Sequence, residues 1–131
     1  MIFVDTSAWF ASVVPSDTDH KTASTWVAQN TQPLLTTDYV VDETLTLLRS
    51  RREALRASNL GEAFFSGILV NLYFLTEEDI RQTLQAFQQF SDKDWSFTDC
   101  TSWVVMAKLG LTDAFTFDHH FRQFGFVNVV P

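Results

Sequence analysis

The amino-acid sequence predicts a single α/β domain, a three-layer α/β/α sandwich with a short, mostly parallel twisted sheet. Two observations support this prediction. Apolar runs of four or five residues alternate along the chain with helix-length segments, and this alternation is typical of βαβ crossovers in a parallel sheet that is covered on both faces. The length of 131 residues is that of one domain, so we assign residues 1–131 to it.

The first half of the chain is expected to hold two strands and four helices. The opening apolar run ends in an acid, as a buried strand does before a helix, and Ser7 is the expected cap of that helix. The predicted elements are a strand over Met1–Asp5, helices over Ala8–Val14 and Asp17–Gln29, a strand over Pro33–Thr36, a long helix capped by Asp38 and followed by the basic stretch Arg49–Arg56, and a helix over Leu60–Leu69.

The second half is expected to complete the sheet. Thr76–Asp79 has the spacing of a capping box, and the glycine at position 110 is a typical helix stop. The predicted elements are a strand over Leu72–Leu75, a helix after Thr76 with Ile80, Leu84, Phe87 and Phe90 on one face, a helix from Ser96 to Gly110, a strand over Ala114–Phe117 and a fifth strand over Phe126–Val130. The aromatic residues, among them Phe64, Phe65, Phe87, Phe90, Trp95 and Trp103, are expected mostly in the core.

Composition excludes several classes of protein. With 46% hydrophobic residues, 13 Phe and 4 Gly, the chain is neither disordered nor fibrous. One cysteine allows no internal disulfide and no zinc framework, which favours a reducing compartment, most simply the cytoplasm. No apolar run approaches the roughly 20 residues of a membrane span, and no export signal is visible at the N-terminus.

The charge balance needs an explanation if the partner is a nucleic acid. The chain carries 16 acids against 9 bases, a net charge of −7, whereas a basic surface is usual for nucleic-acid binding. This objection weakens if several acids gather in one place to bind cations, because bound cations neutralise them.

Four acids stand where a parallel sheet collects ligands, beyond the carboxyl ends of its strands. Asp5 and Asp118 end the first and fourth predicted strands. Glu43 lies within the first turn and a half of the helix after the second strand, and Asp99 lies in the first turn of the helix opened by Ser96. Taken singly, each acid is better explained as a helix cap or as a partner of the helix dipole.

Taken together, the four acids favour a cation site. Two unit charges about 4 Å apart repel by about 4 kcal/mol at an effective dielectric of about 20, so four carboxylates at one strand edge need compensation. Oxygen ligands suit hard ions such as Mg²⁺ or Mn²⁺. A pair of such ions about 4 Å apart is a recurring arrangement for phosphodiester hydrolysis.

Four ordered motifs then suggest a family. They are Asp5-Thr6-Ser7, Thr37-Asp38-Tyr39-Val40-Val41-Asp42-Glu43, Ser96-Phe97-Thr98-Asp99-Cys100 and Phe115-Thr116-Phe117-Asp118. In their order and spacing they resemble the PIN-domain family, especially the ribonuclease toxins of VapC-type toxin–antitoxin pairs. The resemblance extends over essentially the full length, from Met1 to Val130.

This resemblance implies a metal-dependent endoribonuclease with one or two Mg²⁺ or Mn²⁺ ions per active site. The residues that it assigns as metal ligands are Asp5, Glu43, Asp99 and Asp118, with Thr6, Ser96, Thr98 and Thr116 as supporting hydroxyls. Asp94 is a candidate fifth acid, for which a solvated loop position is the alternative. The family further implies an RNA substrate, a homodimer and a small antitoxin protein bound across the helices, where Trp9, Phe10 and the helix over Leu60–Leu69 are the first surfaces to consider.

The basic residues and the histidines near the motifs each have two possible roles. Arg49, Arg51, Arg52 and Arg56 form a dense cluster, predicted on the helix that carries Glu43, which is either a solvated face or a contact to the RNA backbone. His119 and His120 follow the last acid, and we expect them at exposed first-turn positions rather than as metal ligands, with contact to a substrate phosphate as the alternative for His119.

Other functions remain open at this point. Cys100 is expected in the core rather than as a nucleophile, because no histidine is placed by sequence as its base. Aspartyl-phosphate chemistry is disfavoured, because Ser7 and Asp118 stand where such proteins need an Asp and a Lys. A free-standing PIN-domain RNA-processing nuclease and a non-catalytic acidic binding module are the remaining alternatives.

Overall fold

The structure, a computed structural model that describes all 131 residues, contains one five-stranded sheet in the order β3-β2-β1-β4-β5. Every neighbouring pair of strands is parallel, which confirms the predicted fold class. The elements are β1 (Ile2–Val4), α1 (Thr6–Val13), α2 (His20–Gln29), β2 (Leu34–Thr37), α3 (Asp38–Ser50), α4 (Ala54–Phe65), β3 (Asn71–Tyr73), α5 (Glu77–Gln89), α6 (Phe97–Leu109), β4 (Asp113–Phe115), a 3₁₀-helix (His119–Gln123) and β5 (Asn128–Val130).

The strand order fixes the layers. The chain steps from β1 to β2 to β3 in one direction and then returns to β4 and β5 beyond β1. Because parallel crossovers are right-handed, the helices of the outward path cover one face and those of the return path cover the other. On the first face Phe115 of β4 packs on Trp26 of α2, with ring centroids 4.1 Å apart. On the second face Phe3 of β1 packs on Phe121 of the 3₁₀-helix, at 6.1 Å.

The core surrounds the central strands. All three residues of β1 and all four of β2 are buried, as expected for a parallel sheet covered on both faces. Phe3, Phe64, Phe115 and Phe121 are the largest fully buried side chains. The helices are too short or too polar to span a lipid bilayer.

Two predicted helix caps are wrong by one or two residues. The cap of α1 is Asp5 rather than Ser7, since the Asp5 side chain accepts a hydrogen bond from the Ser7 backbone N. The cap of α3 is Thr37 rather than Asp38, because the Thr37 hydroxyl accepts from the Val40 backbone N at 3.1 Å. The Asp38 carboxylate instead accepts from the backbone N of Leu75, 37 residues away, a tertiary contact that local sequence does not reveal.

The helix predicted over Leu60–Leu69 is also misplaced, because α4 starts at Ala54 and ends at Phe65. The chain leaves α3 after Ser50 and turns through Arg52, whose φ of 62° is left-handed. Only Arg49 of the four arginines therefore lies on the helix that carries Glu43. Arg51 and Arg52 lie in the turn, and Arg56 lies on α4.

The fourth strand ends earlier than predicted. β4 stops at Phe115 instead of Phe117, because the next two residues turn towards α1, where the Phe117 backbone N donates to the Ser7 hydroxyl at 2.9 Å. Asp118 therefore follows the strand by three residues. The other predicted strands and helices are present, with ends shifted by a few residues.

Aromatic burial follows the prediction in part. Phe64 and Trp95 are buried, but Phe65 and Phe87 are exposed. Phe64 and Phe65 are neighbours on α4, and successive helical residues point about 100° apart, so both cannot face the core. Trp9 was expected near an interface, yet it is buried, and its indole N–H donates to the Thr36 hydroxyl.

Candidate active site

The sheet topology brings the first motif and the last motif together. β1 pairs with β4, and Val4 lies opposite Phe115, so the chain leaves both strands at the same edge. Two hydroxyls join the ends. The Thr116 hydroxyl donates to Asp5 Oδ2 at 3.0 Å and accepts from the Asp118 backbone N at 2.9 Å. The Ser7 hydroxyl donates to the same Asp5 oxygen at 2.9 Å. Ser7 was predicted only as a cap, and its role in this network was missed.

Asp5 is the most deeply buried acid of the site, at 3% exposure. Burial raises its pKa to about 7, and the charge of Asp99 adds to this effect, while hydrogen bonds from Ser7, Thr6 and Thr116 oppose it. A carboxyl group with this pKa is poised to exchange its proton for a cation near neutral pH.

Asp99 serves both as the acidic partner in the capping box of α6 and as a member of the acid cluster. The Ser96 hydroxyl accepts from the Asp99 backbone N, and the Ser96 backbone N donates to Asp99 Oδ2, both at 3.0 Å, which forms the expected capping box. Asp99 is also buried, and its pKa is raised by burial and by the charge of Asp118, against hydrogen bonds from Ser96 and His120. Capping and site membership, weighed as alternatives from sequence, coexist in this residue.

Glu43 joins the cluster from α3. Its pKa is raised by burial and by the charges of Asp99, Asp118 and Asp42, while the Thr6 hydroxyl lowers it. The Thr44 hydroxyl donates to Thr6 at 3.3 Å, which ties α3 to α1. The charge of Asp99 thus acts on both Asp5 and Glu43, and the charge of Asp118 acts on Glu43 and Asp99, which links acids from four parts of the chain.

The three aspartates share a hydrogen-bonding pattern. In each, one carboxylate oxygen is held by protein donors, while the other accepts no hydrogen bond. The held atoms are Asp5 Oδ2, Asp99 Oδ2 and Asp118 Oδ1. None of the free oxygens is a buried atom without a partner, so they are open to solvent, and like charges gathered at one place favour a bound cation. The acid cluster therefore fits a hard divalent cation bound by oxygen ligands.

His120 is a second residue that sequence analysis missed. Its Nδ1 lies 3.0 Å from Asp99 Oδ2 and 3.3 Å from Asp118 Oδ1, and its side chain is 18% exposed, so the expected surface position is wrong for this residue. His119 is 78% exposed, as predicted. The ligand atoms of Asp118, His119 and His120 lie within 4.8 Å of one another. In the sequence, only the position of His120 two residues after Asp118 indicated that it lies near the acids.

Of the remaining candidate residues, some lie beside the acids and others do not contact them. Thr6 and Thr116 are buried beside the acids, and Ser96 caps α6. The Thr98 side chain makes no hydrogen bond, and Asp94 is exposed without an ion pair or hydrogen bond to the cluster. The arginine cluster starts at Arg49, about 9 Å along α3 from Glu43 at about 1.5 Å per residue. Arg56 is engaged with Glu53, at 3.3 Å.

Cys100 lies next to Asp99 but faces the core. It is buried, and burial together with the Asp99 charge raises its thiol pKa to about 11. Because the thiolate is the reactive form, we expect iodoacetamide at pH 7.5 to label the folded protein at least a hundredfold more slowly than the urea-unfolded chain. Labelling at equal rates would show that the thiol is accessible and reactive.

Comparison with known proteins identifies the family of the chain. The family model for the PIN domain matches residues 2–127. The chain belongs to the PIN-domain family. The family resemblance inferred from the four motifs is therefore confirmed, and the acid cluster lies within the matched PIN domain.

Two relatives of this chain are VapC proteins. The 23S rRNA-specific endonuclease VapC20 of Mycobacterium tuberculosis is 36% identical over 131 residues, which cover 100% of this chain and 99% of VapC20. The VapC ribonuclease of Archaeoglobus fulgidus is 29% identical over 113 residues, 82% of this chain and 71% of that protein.

Two solved structures have the same fold as this chain. The crystal structure of Mycobacterium tuberculosis VapC20, described as a Sarcin-Ricin loop cleaving toxin, superposes with a TM-score of 0.93 at 33% identity and covers both chains completely. FitAcB of Neisseria gonorrhoeae has a TM-score of 0.70 at 15% identity, covering 100% of this chain and 97% of that one, and shows the same fold. The chain is thus a PIN-domain nuclease of the toxin–antitoxin type.

Proposed function

We propose that this PIN-domain protein is a Mg²⁺- or Mn²⁺-dependent endoribonuclease, the toxin of a toxin–antitoxin pair, and that its substrate is a structured loop of ribosomal RNA. The observation that supports this most is the convergence of Asp5, Glu43, Asp99 and Asp118 in a chain 36% identical along its whole length to a 23S rRNA-specific endonuclease. The single cysteine favours the cytoplasm, where ribosomes are present.

In this proposal the four acids hold one or two divalent cations. Bound there, a cation would supply Lewis acidity towards a water molecule and towards the phosphodiester. Ser7 and Thr116 hold Asp5 Oδ2 and so leave Oδ1 directed away from the protein donors. Ser96 does the same for Asp99. No side-chain nucleophile is assigned, because the only thiol is buried and protonated.

Activity is expected to depend on pH through Asp5. Its pKa in the metal-free protein is about 7, and a protonated carboxyl group cannot bind a cation, so protons and metal compete below that pH. At subsaturating Mn²⁺ the cleavage rate should rise up to tenfold per pH unit between pH 5 and 7 and level off above 7. With saturating Mn²⁺ the acid limb should move to lower pH. A profile that is independent of Mn²⁺ concentration would contradict the assignment of Asp5 as a ligand.

Cleavage can be tested on a defined RNA. We expect the purified protein with Mn²⁺ to cut an oligonucleotide carrying the sarcin–ricin loop at one position, and to leave a hairpin with the same stem and a scrambled loop intact. EDTA should stop the reaction. Equal cutting of both hairpins would contradict loop recognition, and cleavage in EDTA would contradict the metal-dependent mechanism. Metal binding without cleavage of any RNA would favour the non-catalytic binding module.

We also propose a homodimer that binds a small antitoxin protein. In support, the isolated chain leaves large apolar side chains exposed next to the end of α4, namely Phe65, Ile68 and Phe74, and such patches are typical of interaction surfaces. Light scattering should give twice the mass of one chain. Co-expression with the neighbouring open reading frame should restore growth that the nuclease alone inhibits. A monomer that leaves growth unaffected would instead favour a free-standing RNA-processing nuclease.

A further inference from the structure

His120 lies between two acids that come from different elements. Its ring Nδ1 is 3.0 Å from Asp99 Oδ2, at the start of α6, and 3.3 Å from Asp118 Oδ1, before the 3₁₀-helix. The His120 backbone N also donates to Asp118 Oδ1, at 2.9 Å. One residue therefore contacts Asp118 twice and Asp99 once.

The contacts fix the direction of the hydrogen bonds. An ionised carboxylate only accepts hydrogen bonds, so beside two ionised acids the ring Nδ1 is the donor. It donates to Asp99 Oδ2 at 3.0 Å, and Asp118 Oδ1 lies 3.3 Å away at ion-pair distance. Both oxygens are ones that the protein already holds, since Asp99 Oδ2 accepts from the Ser96 backbone N and Asp118 Oδ1 from the His120 backbone N. The other oxygen of each aspartate accepts no protein hydrogen bond. The imidazole thus secures one side of each carboxylate and leaves the opposite side available.

The two carboxylates need such a link. Asp99 and Asp118 are like charges on separate elements, and no strand pairing or backbone hydrogen bond joins α6 to the 3₁₀-helix at this point. Other donors hold each carboxylate separately, but the His120 ring is the contact that lies between the two. Donors that hold the far oxygen of a metal-binding carboxylate raise affinity by fixing its orientation.

We propose that His120 is a positioning residue that bridges Asp99 and Asp118 and so sets the affinity of the acid cluster for divalent cations. This inference rests on the proposed function, since it assumes a cation at these acids. Direct ligation by Nδ1 is the competing role. It is disfavoured because that nitrogen donates to Asp99 Oδ2 and has no lone pair left in this tautomer.

The test measures metal affinity without RNA. We expect isothermal titration calorimetry of His120→Ala to show 10- to 100-fold weaker binding of both Mn²⁺ and Mg²⁺, the range found when partners of metal ligands are removed. His120→Asn, whose side-chain amide N can take the place of Nδ1, should stay within threefold of the natural protein. His120→Gln carries its amide one bond further out and should resemble His120→Ala. His20→Asn, at a histidine outside the acid cluster whose ring contacts the Ala11 carbonyl oxygen, is the matched control and should bind normally.

Each other result has a definite meaning. Selective loss of Mn²⁺ but not Mg²⁺ binding, without rescue by Asn, would overturn the positioning role in favour of a nitrogen ligand. Unchanged affinity in all variants would overturn the inference while leaving the proposed function intact. If the natural protein itself binds neither ion, the proposed function fails first. Should His120→Ala not fold, the comparison of Asn with Gln still decides, because both keep an amide of similar polarity.

Discussion

Replacing Asp5 with Asn is expected to reduce RNA cleavage at least a thousandfold and, at the same time, to stabilise the metal-free protein at pH 8. The loss of activity follows if Asp5 binds the catalytic cation, because a neutral amide is a much weaker ligand for Mg²⁺ or Mn²⁺ than a carboxylate. A barrier increase of about 4 kcal/mol corresponds to such a thousandfold loss.

The gain in stability has an electrostatic origin. Asp5 is buried, and its folded-state pKa of about 7 lies above its ordinary value of 3.8. Folding therefore favours the protonated form, and stability falls as the pH rises from about 4 to about 7. The ionised group then costs up to about 4 kcal/mol at pH 8, which the uncharged Asn removes.

Activity assays and urea unfolding at pH 5 and pH 8 without metal can check both parts. The stabilisation should be present at pH 8 and small at pH 5, and added Mn²⁺ should stabilise the natural protein but not Asp5→Asn. Asp94→Asn, at an exposed loop position before α6, is the control and should change neither quantity. An Asp5→Asn protein that cleaves normally, or that is less stable at pH 8, would contradict the assignment.

The largest expected loss of stability lies away from the acid cluster, at Asp79. This carboxylate is 1% exposed and accepts hydrogen bonds from the Lys108 Nζ at 2.8 Å, the Tyr73 hydroxyl at 2.6 Å and the Thr76 backbone N at 3.0 Å. It thereby joins α5 to α6 and β3. Burial alone would raise its pKa, but these donors outweigh burial and hold the pKa at about 2.

We expect Asp79→Ala to lower the free energy of unfolding by about 3 kcal/mol at pH 7, because it removes a buried charge with three donors and the capping box of α5. The exposed pair formed by Glu77 and Arg81 on the same helix is the matched control, and Arg81→Met should cost less than about 0.5 kcal/mol. Equal effects at the two positions would contradict the buried network.

The Asp79 contribution should also depend on pH. Its folded-state pKa is depressed from 3.8 to about 2, so the stability it provides is complete above about pH 4 and is lost as the pH falls towards 2. The difference between the natural protein and Asp79→Ala in urea unfolding should therefore shrink between pH 5 and pH 2.5. A constant difference would mean that the carboxylate charge contributes nothing.

Much of the fold was predictable because it is encoded locally. The alternation of apolar runs and helices gave the parallel sheet, and the capping box from Ser96 to Asp99 marked the start of α6. The start of α4 was not predictable, since it depends on a left-handed turn at Arg52 within a stretch that also has helical composition. Asp38 was misread because its partner, the Leu75 backbone N, follows the neighbouring strand β3, 37 residues along the chain.

The candidate site, like the fold, could be predicted from sequence only in part. Strand ends and helix starts pointed to the four acids, since parallel strands deliver them to one edge. His120 could not be separated from His119 by sequence, because only the geometry of the 3₁₀-helix decides which ring turns inward. The contributions of Ser7 and Thr116 to Asp5 likewise depend on the pairing of β1 with β4.

The position of β1 between β2 and β4 has a consequence for biosynthesis. The acid cluster takes Asp5 from the beginning of the chain and Asp118 from near its end, and Phe121 must pack on Phe3 in the same region. A nascent polypeptide that has not yet released its last strands from the exit tunnel cannot assemble the cluster. The acid cluster is therefore completed only after the end of the chain has been synthesised and released.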